Sequence, residues 1–167
     1  TGSKHVVTLA SGERFLLDCG MFQGMGKDTD TLNMHFGFDP TTIDYVILSH
    51  AHIDHCGRLP KLVKEGFNGV IYCTEATADL VAIMLADSAF IQEKDSEWHN
   101  EKRKKKGLPT IEPLYTTDDV PAVIEKLRRV PYETWVTIKP GIEFLFRDNG
   151  HILGSASVQL KIKEDNK

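Results

Sequence analysis

The segment covering residues 43–66 constrains the fold of this chain more than any other. It opens with an apolar run rich in β-branched residues, which predicts a buried strand over residues 43–48. It closes with a short predicted helix that has Pro60 in its first turn and Gly66 as its stop. Four metal-competent side chains lie on the loop between the two elements: His50, His52, Asp54 and His55. Because open α/β folds place ligands at the carboxyl ends of strands, this loop predicts a metal site.

The spacing of the four side chains favours two adjacent metal ions over one. In an extended loop His50 and His52 point the same way, so both imidazoles can meet one ion. Asp54 and His55 follow where the chain turns into the helix, and they can face a neighbouring ion. Imidazole nitrogens and a carboxylate suit zinc, manganese or iron. The alternative is a run of solvated histidines on a surface loop, a pattern that chance seldom places directly after a buried strand.

The rest of the chain predicts strands and helices in alternation. Six further strands are expected from apolar runs or alternating patterns: residues 5–9, 14–17, 69–73, 132–138, 142–147 and 157–162. One helix is predicted from Glu75 behind an N-cap at Thr74, and another over residues 117–129. Residues 21–40 are polar and glycine-rich and predict a long loop. This order indicates an α/β domain of layered helices and sheets.

The overall composition indicates an intracellular domain, and the net charge of the chain does not by itself indicate nucleic-acid binding. The net charge is −4, so binding to phosphates would depend on a local patch. The three cysteines are an odd number without framework spacing, which suits a reducing compartment. No run is long and apolar enough for a membrane span, and the first residues lack the features of a signal peptide. We therefore expect a cytoplasmic protein with no membrane partner.

One local patch is basic. Residues 93–106 (EKDSEWHNEKRKKK) predict the exposed end of the helix that starts at Glu75, and they finish in five consecutive cations. Such a run could contact phosphates, or it could be a solvated helix end. Trp98 has no apolar periodicity around it, which leaves a small satellite cluster or an outside partner as its contact.

The metal loop also carries a family resemblance. The heptapeptide SHAHIDH at residues 49–55 resembles the HxHxDH signature of the metallo-β-lactamase superfamily. Three more stretches are similar to its β-CASP branch, which processes nucleic acids and includes ribonuclease J and the cleavage and polyadenylation nuclease: TGSKH at 1–5, LDCG at 17–20 and GHILGSA at 150–156. The resemblance implies an αββα sandwich.

The resemblance also implies that the chain is incomplete. Residues 1–167 would be the amino-terminal portion of the metallo-β-lactamase domain. The first strand, the segment with the Asp that bridges the two metals, and the β-CASP domain would all be missing. Asp165 lacks the apolar lead-in and the following Gly expected of the bridging residue.

Roles for individual residues follow from the same resemblance. Five side chains would ligate metal: His50, His52 and His151 the first ion, and Asp54 and His55 the second. His151 lies between glycines that let the backbone bend, and outside this context it would be an ordinary turn residue. Asp18 would support the metal loop by hydrogen bonding, although it could simply end a strand.

The expected function is that of a zinc-dependent ribonuclease or RNA-processing nuclease that cleaves phosphodiesters with a water activated by two ions. RNA is the expected partner, with single-stranded DNA, manganese or iron, and a homo-oligomer left open. One alternative is a hydrolase of the same fold acting on a thioester, lactone or β-lactam. Another is a non-catalytic RNA-binding or scaffold relative. With an incomplete ligand set, the chain could by itself be inactive.

Overall fold

The computed structural model describes residues 1–163, which form two β-sheets with helices on one side. The first sheet has the order β1-β2-β3-β4-β5, with strands His5–Thr8, Arg14–Leu17, Tyr45–Ile47, Val70–Thr74 and Leu127–Val130. Strands β1 and β2 form an antiparallel hairpin, and β2 to β5 run parallel. The second sheet is antiparallel with the order β6-β7-β8, formed by Val136–Lys139, Ile142–Asp148 and Ala156–Ile162.

The α-helices of residues 1–163 are α1 Thr29–Met34, α2 Ile53–Cys56, α3 Leu59–Lys64, α4 Glu75–Lys105 and α5 Val120–Ile124. Helix α4 is 31 residues long and begins at the predicted N-cap, where the Thr74 hydroxyl accepts a hydrogen bond from the Thr77 N–H. Within residues 1–163, none of the helices combines the length and the hydrophobicity required to cross a bilayer.

Two hydrophobic cores lie on the two faces of the five-stranded sheet. Successive residues of a strand point to opposite faces, so Leu16, Val46 and Ile71 pack against the helices. Their neighbours Phe15 and Tyr45 pack instead against the second sheet. Both faces are therefore buried, which explains why β3 is a continuous apolar run. The layer order is helices, sheet, sheet, which confirms the predicted layered α/β class and corresponds to three layers of an αββα sandwich.

Three segments differ from the sequence prediction. The strand predicted over residues 132–138 begins only at Val136, because Glu133 has a φ of +55° in a turn before it. Residues 117–129 do not form one helix: α5 ends at Ile124, and Leu127–Val130 joins the sheet as β5, parallel to β4. The open edge of β4 supplies hydrogen-bond partners that override the local helix signal. Residues 21–40 are not only loop, because they contain a 3-10 turn at Gly26–Asp28 followed by α1. The buried Asn33 side chain fixes this segment through hydrogen bonds with both backbone groups of Phe22, at 2.8 and 3.0 Å.

Candidate metal centre

The predicted ligands come from two loops at one end of the two sheets. The loop between β3 and α2 carries His50 and His52, and α2 carries Asp54 and His55. The loop between β7 and β8 carries His151. A backbone hydrogen bond of 2.9 Å from Ala156 N to Ser49 O joins the two loops. Residues 99 positions apart in sequence therefore share one site.

Three imidazoles converge at this junction. His50 Nε2 lies 3.1 Å from His52 Nδ1, and His151 Nε2 lies 3.2 Å from the same nitrogen. One ring nitrogen from each residue lies within 4.8 Å of the other two. Two nitrogens bound tetrahedrally to zinc at about 2.0–2.1 Å would be about 3.3 Å apart. The group could therefore hold a metal ion with little rearrangement.

The environment of His50 keeps its ring available as a ligand. Its Nδ1 lies 2.9 Å from Ser49 Oγ, which leaves Nε2 facing His52. The residue is only 7% exposed, and burial, with His55 close by, lowers the pKa of His50 to about 4. The ring is therefore neutral at pH 7, which is the form that binds metal.

Asp54 and His55 lie beside the three-histidine group. The centroids of the His50 and His55 rings are 4.0 Å apart. His55 Nδ1 is 2.7 Å from Asp18 Oδ2, and this hydrogen bond raises the pKa of His55. His55 Nε2 is thereby left pointing towards Asp54 Oδ2 at 4.0 Å. One imidazole nitrogen and one carboxylate oxygen thus share a position adjacent to the first group.

Asp18 joins the end of β2 to the metal loop. Its Oδ1 accepts a hydrogen bond of 2.8 Å from Ser49 N, and its Oδ2 accepts from Ser49 Oγ at 3.0 Å and from Ser3 Oγ at 3.2 Å. The residue is 6% exposed and has a φ of +60°, which Asp tolerates better than most residues. Every polar contact of the carboxylate is directed to the loop or to a residue that supports it.

The backbone around Gly20 packs against α2 and supports it through hydrogen bonds. Ser3 N donates to Asp54 O, and Cys19 N donates to His55 O, both at 2.7 Å. A Cβ atom on Gly20 would lie 1.7 Å from Asp54 O, so no larger residue fits without moving this backbone. The short stretches at residues 1–5 and 17–20 therefore support the metal loop through backbone contacts.

The loop that carries His151 is organised by Ser155, which is fully buried. Its hydroxyl accepts hydrogen bonds from His151 N at 3.1 Å and Ile152 N at 3.0 Å, and it donates to Asn149 Oδ1 at 2.7 Å. Gly154 has a φ of +82°, and a Cβ there would lie 2.5 Å from Thr77 N at the start of α4. This packing fixes the position of the histidine relative to the helix.

The sequence reasoning assigned no role to Ser49, Ser155 or Arg58. The two serines lie inside the quoted stretches SHAHIDH and GHILGSA, but those stretches do not reveal which groups their hydroxyls contact. Arg58 is fully buried, donates from Nε to Gly20 O at 2.8 Å, and places its guanidinium 4.7 Å from the centre of the Phe36 ring. Its position one residue after Gly57 gives no hint of this, because its partners come from the segment before β3. Asp165 lies outside the described residues.

Comparison with known proteins identifies the family. Residues 5–157 match the family model described as the Metallo-beta-lactamase superfamily. Ribonuclease TTHA0252 of Thermus thermophilus is 40% identical over 158 residues, which cover 95% of this chain and 32% of the relative. The RNase J-like protein of Methanocaldococcus jannaschii is 33% identical over 151 residues, 89% of this chain and 28% of that protein. Transcription termination factor FttA of the same organism is 32% identical over 154 residues, 90% of this chain and 22% of that protein.

Solved structures agree on the fold. MEM-A1, a subclass B3 metallo-beta-lactamase from a soil metagenome library, has a TM-score of 0.53 at 17% identity, covering 97% of this chain and 52% of that one. A mutant flavo di-iron protein from Thermotoga maritima has a TM-score of 0.53 at 19% identity, covering 93% and 29%. The chain spans about a third or less of the length of the curated relatives named above. The chain belongs to the metallo-beta-lactamase superfamily, and its relatives confirm the predicted β-CASP branch.

Proposed function

We propose that this chain is the metal-binding portion of a zinc-dependent ribonuclease or RNA-processing nuclease that uses two ions. The observation that carries the proposal is the convergence of three imidazoles from two distant loops, with the Asp54–His55 pair beside them. Three imidazoles at ligand spacing, of which His50 is buried, serve no evident packing purpose. A purely structural loop would not require them.

In this proposal His50, His52 and His151 hold the first ion, and Asp54 and His55 belong to the second. Asp18 and Ser49 fix the orientation of the ligating rings, since a histidine ligand usually needs a hydrogen bond at its other nitrogen. The bound ions would supply an acidic water near neutral pH and positive charge for the phosphate oxygens. Zinc suits this donor set best, although manganese and iron also accept imidazole and carboxylate ligands.

Three relatives favour RNA as the substrate class. Two of them are named for ribonucleases, and the third is named for transcription termination. Because the chain covers only a fraction of each relative, we infer that residues 1–167 are the amino-terminal portion of a larger catalytic unit. We place the protein in the cytoplasm, since its three cysteines are free and buried rather than paired.

The test is cleavage of end-labelled single-stranded RNA by the full natural protein that carries this chain. Cleavage should be lost in the Asp54→Ala variant and in the presence of a chelator, and the lengths of the products would separate internal cutting from cutting at an end. Asp118→Ala is the matched control, because it removes an exposed carboxylate far from the loop in sequence. Metal content measured on each variant shows whether lost activity accompanies lost metal.

Three results would contradict the proposal. Full RNA cleavage by the Asp54→Ala variant would show that the assigned site is wrong. Absence of RNA cleavage with two metals bound per chain would favour hydrolysis of a thioester, lactone or β-lactam. Absence of both metal and cleavage would favour a non-catalytic RNA-binding or scaffold protein.

A further inference from the structure

The distal end of α4 extends beyond the hydrophobic core. The buried residues of this helix all lie in its first half: Thr77, Ala78, Val81, Leu85 and Ala89. Residues 93–106, here called the arm, contribute none. A helix segment that buries nothing needs another explanation for its order, because helical stability in proteins comes mainly from packing.

The arm is held by the segment that follows it. The Asn100 side chain donates to Ile111 O and accepts from Ile111 N, both at 2.8 Å. Arg103 Nε donates to Pro109 O at 2.6 Å. These bonds fix one side of the arm to the connection after α4. The opposite side of the arm is left exposed to solvent.

The arm concentrates positive charge in an acidic protein. Its last five residues, 102–106, are all Lys or Arg, whereas the whole chain has a net charge of −4. None of the five forms an ion pair with a carboxylate within residues 1–163. Cations at the end of a helix stabilise its dipole, but that effect is confined to the last turn and does not require five of them.

An exposed aromatic ring lies within this charge. Trp98 is 53% exposed, and Lys102 Nζ lies 3.2 Å from its ring centroid. Trp98, Lys102 and Lys105 follow the spacing i, i+4, i+7, so they share one face of the helix. The neighbouring face borders a cavity of about 860 Å³ whose lining includes four carboxylates: Asp30, Glu65, Asp95 and Glu112. Phosphates are therefore favoured on the Trp98 face.

The arm and the metal centre lie at opposite ends of α4, a single continuous helix. The first turn of α4 is tied to the His151 loop, since the hydroxyls of Thr74 and Thr77 donate to Gly154 O at 2.6 and 2.8 Å. From Thr74 to Trp98 the helix rises by about 36 Å at roughly 1.5 Å per residue. A stacked nucleic-acid strand advances about 3.4 Å per nucleotide, so this length corresponds to roughly ten nucleotides.

We propose that the Trp98–Lys102–Lys105 face of the arm binds single-stranded RNA about ten nucleotides from the metal centre. Aromatic rings stack on bases of any sequence, and lysines contact the phosphates between them, so the surface would bind without sequence preference. The link between this binding surface and RNA cleavage rests on the proposed nuclease function. The binding of RNA to the arm does not depend on that function.

The test compares two triple variants of the full natural protein in the Asp54→Ala background, so that RNA is not cut. The arm variant is W98A/K102Q/K105Q. The matched control is W135A/K161Q/K163Q, which removes the same residue types from β8 and from the positions that flank β6 and β8; there Lys161 Nζ lies 3.5 Å from the Trp135 ring. Fluorescence anisotropy would measure the Kd for 20-nucleotide and 6-nucleotide single-stranded RNA at several salt concentrations. Circular dichroism would check that each variant folds.

The arm variant should bind the 20-mer at least about fivefold more weakly, since base stacking alone contributes this much. The slope of log Kd against log salt should fall by about 1.4, because two lysine–phosphate contacts are lost. The 6-mer cannot reach from the metal centre to the arm, so it should lose less affinity than the 20-mer, and the control should match the unchanged protein for both RNAs. Equal affinities in arm and control variants would overturn the proposal, as would a defect in binding anionic lipid vesicles with RNA binding intact.

The separate cleavage test distinguishes this failure from failure of the proposed function. If the arm variant binds RNA with unaltered affinity and the unsubstituted protein cleaves RNA, only the proposal about the arm is wrong. If the arm variant binds RNA more weakly and the unsubstituted protein does not cleave RNA, the arm proposal stands and the proposed nuclease function is wrong.

Discussion

Replacing Asp18 by Asn tests whether the proposed second metal position depends on a residue that is not itself a proposed ligand. The substitution preserves shape and volume but exchanges one carboxylate oxygen for an amide NH₂. The Oδ1 contact with Ser49 N can persist in the amide. The Oδ2 position, 2.7 Å from His55 Nδ1, would then hold a donor facing a donor.

The expected loss of metal affinity depends on which hydrogen bonds of Asp18 can adapt to the amide. The hydroxyls of Ser49 and Ser3 can rotate to accept from the new amide, so the loss falls on His55. A hydrogen bond to a charged group contributes about 1.5–3 kcal/mol. Without it the imidazole must either turn, which takes Nε2 away from Asp54, or move its proton to Nε2, which blocks the nitrogen that would bind metal. Affinity for the second metal should fall by about 10–100-fold, the usual cost of losing such a supporting group.

The assay is competition with a chromophoric chelator, which resolves the two binding steps, together with thermal unfolding without metal. Asp44→Asn is the control, because its Oδ2 also accepts from a backbone N–H, that of Arg14 at 2.8 Å, but at the other end of β3. It should leave both affinities unchanged. If Asp18→Asn binds both ions as tightly as the unsubstituted chain, the support attributed to Asp18 is wrong.

Three further substitutions address the frame of the site. Gly20→Ala should destabilise the fold by at least about 3 kcal/mol in urea unfolding, because its Cβ would lie 1.7 Å from Asp54 O. Gly107→Ala is the control: nothing lies within 4 Å of its Cβ, so it should cost only about 1–2 kcal/mol for its positive φ. Ser155→Ala should cost about 1 kcal/mol and weaken binding of the first ion, because the partly buried N–H groups of His151 and Ile152 lose their acceptor. Unchanged metal affinity would contradict this. Phe144→Ala should cost about 3–5 kcal/mol through a cavity between the sheets while leaving metal content intact in the folded protein, measured by calorimetry and metal analysis.

The metal loop was predictable from sequence because its information is local. A buried strand followed by alternating ligands specifies both the position of the loop and the direction of its side chains within a few residues. The same holds for the N-cap at Thr74, where a hydroxyl precedes a helical pattern and bonds to an N–H three residues on. The family motifs added His151 and Asp18, which residue spacing alone could not assign.

The segment after α5 shows where local information fails. Residues 127–130 follow a helical pattern closely enough to predict continuation, yet they form β5. The deciding factor is the open edge of β4, whose unpaired backbone groups are satisfied when Leu127–Val130 aligns with them. No window of sequence around Leu127 contains that edge.

Periodicity and the spacing of neighbouring residues were enough to predict the fold class, the candidate metal loop and the side-chain types on it. The orientation of those candidate ligands depends instead on tertiary contacts. Ser49 bridges Asp18 and His50, Ser155 shapes the His151 loop, and Gly20 admits the Asp54 backbone. The Asp18–Ser49 and Gly20–Asp54 contacts join residues 31 and 34 positions apart, so they form only once the tertiary fold has brought these segments together.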